Sequence, residues 1–172
     1  MNPVLARWNA LPSGEAASEI LSCCGSHAWA AQMAAMRPFA DEQTLFAAAD
    51  RCWRNLPEAD WLEAFRSHPR IGEKHAQAKT TAASAAWSSG EQSQMQDADA
   101  AILLRMQEGH RAYEERFGRI FIVCASGKQP AEMLHLLERR LNNDPAQELL
   151  EAAEQQRQIM QLRLRKWLGE PA

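Results

Sequence analysis

Phe117-Gly118-Arg119-Ile120-Phe121-Ile122-Val123-Cys124-Ala125-Ser126-Gly127-Lys128 holds the only β-like run of the chain, and its isolation decides the fold class. Phe121 to Ala125 are apolar or small, as a buried strand requires, but a strand needs neighbours to pair with and no second run supplies one. The segment reads as a single extended crossing between helices. Buried backbone of this kind, outside any sheet, has N–H and C=O groups that must find other partners.

Outward from it the pattern is helical. Downstream, Pro130 opens a helix with Met133, Leu134, Leu137 and Leu141 inward, and Asp144-Pro145 opens a last one that ends near Trp167. Upstream, the spacing predicts a long helix from about Gly90 to Phe117, with Met95, Ile102, Met106 and Tyr113 inward. Glu73 to Ser89 is polar and alanine-rich and supports short helical pieces at best. Before it come a helix from Pro3 to Ala10, one N-capped by Ser13 and stopped by Gly25, and one capped by Ser26 and ended by Arg37-Pro38. Asp41 opens another, and the next, with Pro57 in its first turn, must stop by His68, which precedes a proline. The expectation is an all-α, single-domain bundle of about eight helices over residues 1–172, with one short extended segment near 120–125.

A chain of 172 residues that is 46% hydrophobic can bury one sizeable core. Its 19 basic and 22 acidic residues are interspersed, so no basic block points to nucleic acid or a membrane surface. No apolar run approaches the roughly 18 residues of a membrane span. Cys23, Cys24, Cys52 and Cys124 form no C-x-x-C pair and no zinc-like spacing with histidine, which reads as four reduced, mostly buried thiols and no metal. With no leader visible and no peroxisomal address at the end, the expected compartment is the cytoplasm of a bacterium.

Two segments carry candidate chemistry. Ser67-His68-Pro69-Arg70-Ile71-Gly72-Glu73 sets the one side chain that titrates near neutrality on fixed backbone at a helix end. From pattern alone, His68 is equally a capping or packing group and a catalytic one. Ser88-x-x-Glu91 and Ser89-x-x-Gln92 have the spacing of capping boxes at a helix start, where free N–H groups would also suit an anion. On the last helix Arg163 is one of four basic residues with Arg157, Arg165 and Lys166; a solvated basic face accounts for most of them, and register, four residues after Ile159, separates Arg163 from Arg165. His27, His75, His110 and His135 read as structural or exposed, and the six tryptophans as core.

These residues resemble a known family. Cys24-Gly25-Ser26-His27-Ala28-Trp29-Ala30 with Met33 and Arg37-Pro38-Phe39, Asp60 to Phe65 leading into His68-Pro69-Arg70-Ile71-Gly72, Trp87-Ser88-Ser89-Gly90-Glu91-Gln92, Phe117 to Lys128, and Ile159 to Leu164 follow in order its signatures. The family is the 2-oxo-4-hydroxy-4-carboxy-5-ureidoimidazoline (OHCU) decarboxylases of urate catabolism. One departure is Arg119, where many members carry an aromatic residue; it bears on local packing. The resemblance implies decarboxylation of OHCU to (S)-allantoin without a cofactor, because the substrate's own imine accepts the electron pair that CO2 leaves behind. It implies His68 and Glu91 as catalytic residues and Pro69, Ser88, Gln92 and Arg163 as substrate contacts, with Gln92 offering donor and acceptor to the ureido amide and Arg163 anchoring the anion. It also implies main-chain contacts from Ile122, Val123, Cys124 and Ala125, and a homodimer. Two rivals stand beside it: another cofactor-free lyase or hydrolase acting on a ureido or hydantoin-like ring, and a non-catalytic helical binding module in which His68 and Glu91 are structural.

Overall fold

Side chains start several of the helices by taking up an N–H group that the first turn leaves unpaired. Asn2, Ser26, Asp41, Thr81 and Asp99 accept from Val4, Trp29, Thr44, Ser84 and Ile102 at 2.9, 3.2, 2.7, 3.0 and 2.8 Å. The computed structural model describes residues 2–72 and 80–170. Among them are nine α-helices: α1 (Pro3–Asn9), α2 (Ser13–Cys24), α3 (His27–Ala35), α4 (Glu42–Arg54), α5 (Glu58–Arg66), α6 (Ala82–Glu91), α7 (Ala100–Phe117), α8 (Pro130–Arg140) and α9 (Pro145–Trp167). The fold is all-α. Among the described residues no helix is long and apolar enough to cross a membrane.

The chain forms two compact units. One holds the residues up to Ala64 and those from Arg157 on; the other is Phe65–Gln156. In the first, Trp8, Trp29, Leu5, Ile20, Met33 and Leu45 are fully buried. The indole N–H of Trp8 donates to Ala16 C=O at 2.9 Å and that of Trp29 to Ala49 C=O at 3.2 Å, as buried polar groups require. Arg37 ties α1 to the end of α3: its Nη1 donates to the carbonyls of Trp8 and Leu11 and its Nε to Ala34. Gly25 ends α2 in the left-handed conformation (φ 85°) that a side chain would resist.

In the second unit, Ile71, Met95, Met106, Tyr113, Phe121, Val123, Ala125, Met133, Leu134 and Leu137 pack as one cluster. Phe121, Val123 and Ala125 alternate into it, as extended chain does. All of Ile120 to Ala125 is buried, and the segment is neither helix nor strand, so several of its polar groups are met by side chains. Arg140 Nη1 donates to Ile122 C=O at 2.7 Å, Gln155 accepts from Cys124 N–H at 2.9 Å, and Lys128 Nζ donates to Cys124 C=O at 2.8 Å. Arg140 is itself buried against Glu148, which also accepts from Tyr113 and Asn143. Such a buried pair holds because every lone pair is used.

Four expectations are corrected. The helix predicted from Gly90 to Phe117 is broken: α6 closes at Glu91, a 3-10 turn covers Ser93–Asp97, and α7 begins only after Asp99. Asp99 prefers to cap with its side chain rather than to sit inside a helix. The alanine-rich stretch before Ser89 forms a ten-residue helix, because Thr81 caps it. Ser88 and Glu91 therefore occupy the last turn of α6 and Gln92 its C-cap, so neither Ser-x-x-Glu nor Ser-x-x-Gln is a capping box at a helix start. Ser13, finally, is the first residue of α2, and its N-cap is Pro12. His75 and Glu73 lie outside the described residues.

Candidate functional site

Once α6 is a helix, Ala85, Ser88, Ser89 and Gln92 fall on one face at spacings of three and four. The loop that follows α5 supplies Pro69 and Gly72 opposite, and Met95, Gln96 and Leu103 complete a cavity of about 320 Å³. Three of the residues expected to contact substrate (Pro69, Ser88 and Gln92) wall it together. The Gly72 N–H donates to Gln92 Oε1 at 2.8 Å. A backbone N–H requires an oxygen, so the Gln92 Oε1 faces the loop and its NH2 group points away from Gly72 N–H.

His68 and Glu91 each precede a residue of that wall. They are 6% and 8% exposed, His68 in the turn where its N–H meets Phe65 C=O at 3.2 Å and Glu91 at the carbonyl end of α6. The N–H groups anticipated around Glu91 as an anion cradle are at the opposite end of that helix, so the helix end itself gives an anion no help. Ile122, Val123, Cys124 and Ala125 are buried in the same unit. The bonds to Arg140, Gln155 and Lys128 already use Ile122 C=O and both main-chain groups of Cys124, and Ala125 C=O accepts from Lys128 N–H at 3.0 Å.

Arg163 belongs to the other unit. Its side chain is fully buried, with Nη1 3.4 Å from Ser22 C=O. Burial pushes the neighbouring Cys24 thiol up to about 12 and Cys23 further, although Arg163 pulls both down, so the thiols beside this guanidinium stay neutral. Arg165 faces elsewhere, over the Phe46 ring and toward Glu170, and Arg157 pairs with Asp50.

A larger groove of about 890 Å³ runs along α7 in the second unit, walled by Arg70, Ile71, Met95, Leu103, His110 and Glu114 among others. None of the expected ligand contacts lines it. Arg70 and Glu114 meet there as a two-bond pair, Nε to Oε1 and Nη2 to Oε2, the latter 2.8 Å. The hydrogen bond from Arg70 holds the Glu114 carboxyl below the usual carboxylate range, against the opposing effect of burial. His110, buried at 6% exposure on that wall, was expected to be structural or exposed; no sequence spacing singles it out. Among the described residues no three His, Cys, Asp or Glu side chains come together as metal ligands.

A family model described as OHCU decarboxylase matches residues 9–165. The uric acid degradation bifunctional protein TTL of Arabidopsis thaliana is 35% identical over 150 residues, 87% of this chain; the chain spans 46% of that protein's length. The 2-oxo-4-hydroxy-4-carboxy-5-ureidoimidazoline decarboxylase of Amia calva is 36% identical over 138 residues, covering 79% of this chain and 77% of the fish protein. A crystal structure of an OHCU decarboxylase in the presence of (S)-allantoin superposes with a TM-score of 0.76 at 36% identity, over 88% of this chain and 98% of the other.

Proposed function

Since the chain belongs to the OHCU decarboxylase family, we propose that it is a carboxy-lyase of urate degradation that converts OHCU to (S)-allantoin. The carrying observation is that two segments some twenty residues apart meet at one cavity, the His68 loop through Pro69 and Gly72 and the end of α6 through the polar side chains of Ser88, Ser89 and Gln92. A cavity of this size suits a small bicyclic or ureido-bearing ring. The reaction asks little beyond orientation and one directed proton. When the C–COO⁻ bond breaks, its electron pair moves into the adjacent C=N bond of the substrate, and protonation on one face fixes the stereocentre.

His68 is the proton carrier, its imidazole suited to neutral pH. Glu91 accepts N–H groups of the ring or ureido arm and helps place that proton, and Ser88 and the Gln92 NH2 group hydrogen-bond the polar edge. Pro69 shapes the wall. The main chain of Ile122, Val123, Cys124 and Ala125 contacts the substrate where its own partners leave it open: among the described residues no side chain or main chain meets the N–H or C=O of Val123. Arg163 pairs with the anionic groups of the substrate, a task for which a guanidinium's fixed fork is suited. The chain works as one domain over residues 1–172, in the cytoplasm and as a homodimer; its buried, unbridged cysteines agree with a reducing compartment.

Circular dichroism during urate breakdown tests the assignment, with urate oxidase and hydroxyisourate hydrolase present and this protein added last. A lasting (S)-allantoin signal is expected in place of the racemate of spontaneous decay. His68→Asn should lower kcat about 100- to 10,000-fold with an unchanged far-UV spectrum. An unaltered spontaneous decay with folded protein present overturns the activity. Unchanged stability and undiminished turnover in His68→Asn overturns the role of the histidine.

A further inference from the structure

We propose that Glu114 is a positioning residue for the reaction, holding the His68 loop from the α7 side while Gln92 holds it from the α6 side. The inference rests on His68 being the proton carrier. Residues 67–72 leave α5 as neither helix nor continuous strand: Ser67 is a turn, His68 N–H turns back to Phe65, and Pro69 makes an isolated bridge. The geometry of such a loop is set by what grips it, and two of its grips tie it to neighbouring elements among the described residues. Arg70, two residues after His68, meets Glu114 through both carboxylate oxygens, 44 residues away in sequence. Gly72, two residues further, donates its N–H to Gln92 Oε1 at 2.8 Å. Between them Ile71 is buried in the same cluster as Tyr113, next to Glu114, and as Met95, which also walls the cavity.

Most ion pairs near a surface add little, since salt and side-chain freedom dilute them. This one differs in geometry and in anchoring. It is bidentate, with Arg70 34% and Glu114 25% exposed, and the fork fixes orientation as well as distance. Glu114 sits on the eighteen-residue α7, near Tyr113, whose ring is fully buried and whose hydroxyl donates to Glu148. The carboxylate is therefore a rigid post, and Arg70 is the arm of the loop that reaches it. Loss of the post lets the imidazole drift from the reacting carbon while the walls made by Ser88 and Gln92 stay in place. The penalty should then fall on turnover rather than on substrate affinity.

Hydrogen–deuterium exchange and steady-state kinetics on the full chain test this with Glu114→Gln, Arg70→Met, the double variant and Glu114→Asp. In Glu114→Gln the amides of 67–72 should exchange about tenfold faster while α7 and the melting temperature are unchanged. The kcat should fall about 10- to 100-fold with KM within about threefold of wild type. The double variant should be no worse than either single one, because both remove the same contact. Glu114→Asp, which keeps the charge, should recover part of the loss. Unchanged exchange at 67–72, or wild-type kcat in Glu114→Gln, overturns the proposal, and so does a loss carried by KM. If exchange responds as expected but wild-type protein leaves OHCU decay unaltered, the clamp stands and the decarboxylase assignment falls.

Discussion

The side-chain amide of Gln92 has one acceptor oxygen and two donor hydrogens, and the oxygen already accepts from Gly72 N–H. That division separates two substitutions usually treated as equivalent. Gln92→Glu keeps an oxygen for Gly72 but removes the NH2 group and adds a negative charge beside an anionic substrate. Gln92→Leu removes everything. In the circular-dichroism assay Gln92→Glu should raise KM about tenfold or more with the 67–72 amides still protected, the worth of a hydrogen bond to a charged partner. Gln92→Leu should raise KM and also expose those amides. Equal exchange in the two variants would show that the Gly72 contact does not order the loop. The sequence carried the site this far because its informative residues lie in short contiguous motifs: Pro69 follows His68, and Ser88 and Gln92 flank Glu91. It did not carry Glu114, whose partner Arg70 lies 44 positions away, nor Ala85, Met95 and Leu103, which are ordinary apolar residues until a fold turns them toward the same space.

Helices whose caps and stripes agree were legible. α3 and α4 have Ser26 and Asp41 at their starts and tryptophans on their buried sides, so local chemistry and burial point the same way. α6 was not, because its alanines and serines form no apolar stripe; Thr81 alone marks its start, and the Ser-x-x-Glu that looks like a beginning lies at its end. The pairing of α7 with α8 was also hidden, and it turns on Gly109. A Cβ at Gly109 would lie 2.7 Å from Cδ2 of Leu137, a side chain with no exposed surface and little room to move. Alanine in place of glycine gains about 1 kcal/mol in helix propensity. Overpacking a filled core costs about 1 to 3 kcal/mol. Gly109→Ala should therefore lose about 1 kcal/mol net in urea unfolding. In a Leu137→Ala background the methyl has space, and the same change should stabilise. Stabilisation in the native background would mean that Leu137 yields and the close approach is no constraint.

Among the described residues several acids are kept neutral by burial. In the first unit burial raises Cys23, Cys24 (to about 12) and Cys52; in the second it raises Tyr113, helped by the hydrogen bond to Glu148. In the unfolded chain thiols ionise near 8.5 and tyrosine near 10. Between those values and the folded ones the unfolded chain holds fewer protons than the native chain, so raising the pH favours unfolding. The stabilisation is complete below about pH 8 and drains away as pH climbs toward the folded values. Two thiols titrating together amount to about 2 to 3 kcal/mol per pH unit, a large fraction of the roughly 5 to 15 kcal/mol that holds a domain folded. Urea unfolding at pH 8, 9.5 and 11 should show this slope, with cooperative unfolding by alkali alone at the upper end. The Cys23→Ala/Cys24→Ala variant should start less stable at pH 8, from the lost packing, yet lose less per pH unit, so that its curve approaches or crosses that of the wild type. Parallel curves would place the alkaline sensitivity elsewhere, with Tyr113→Phe as the variant that then flattens it.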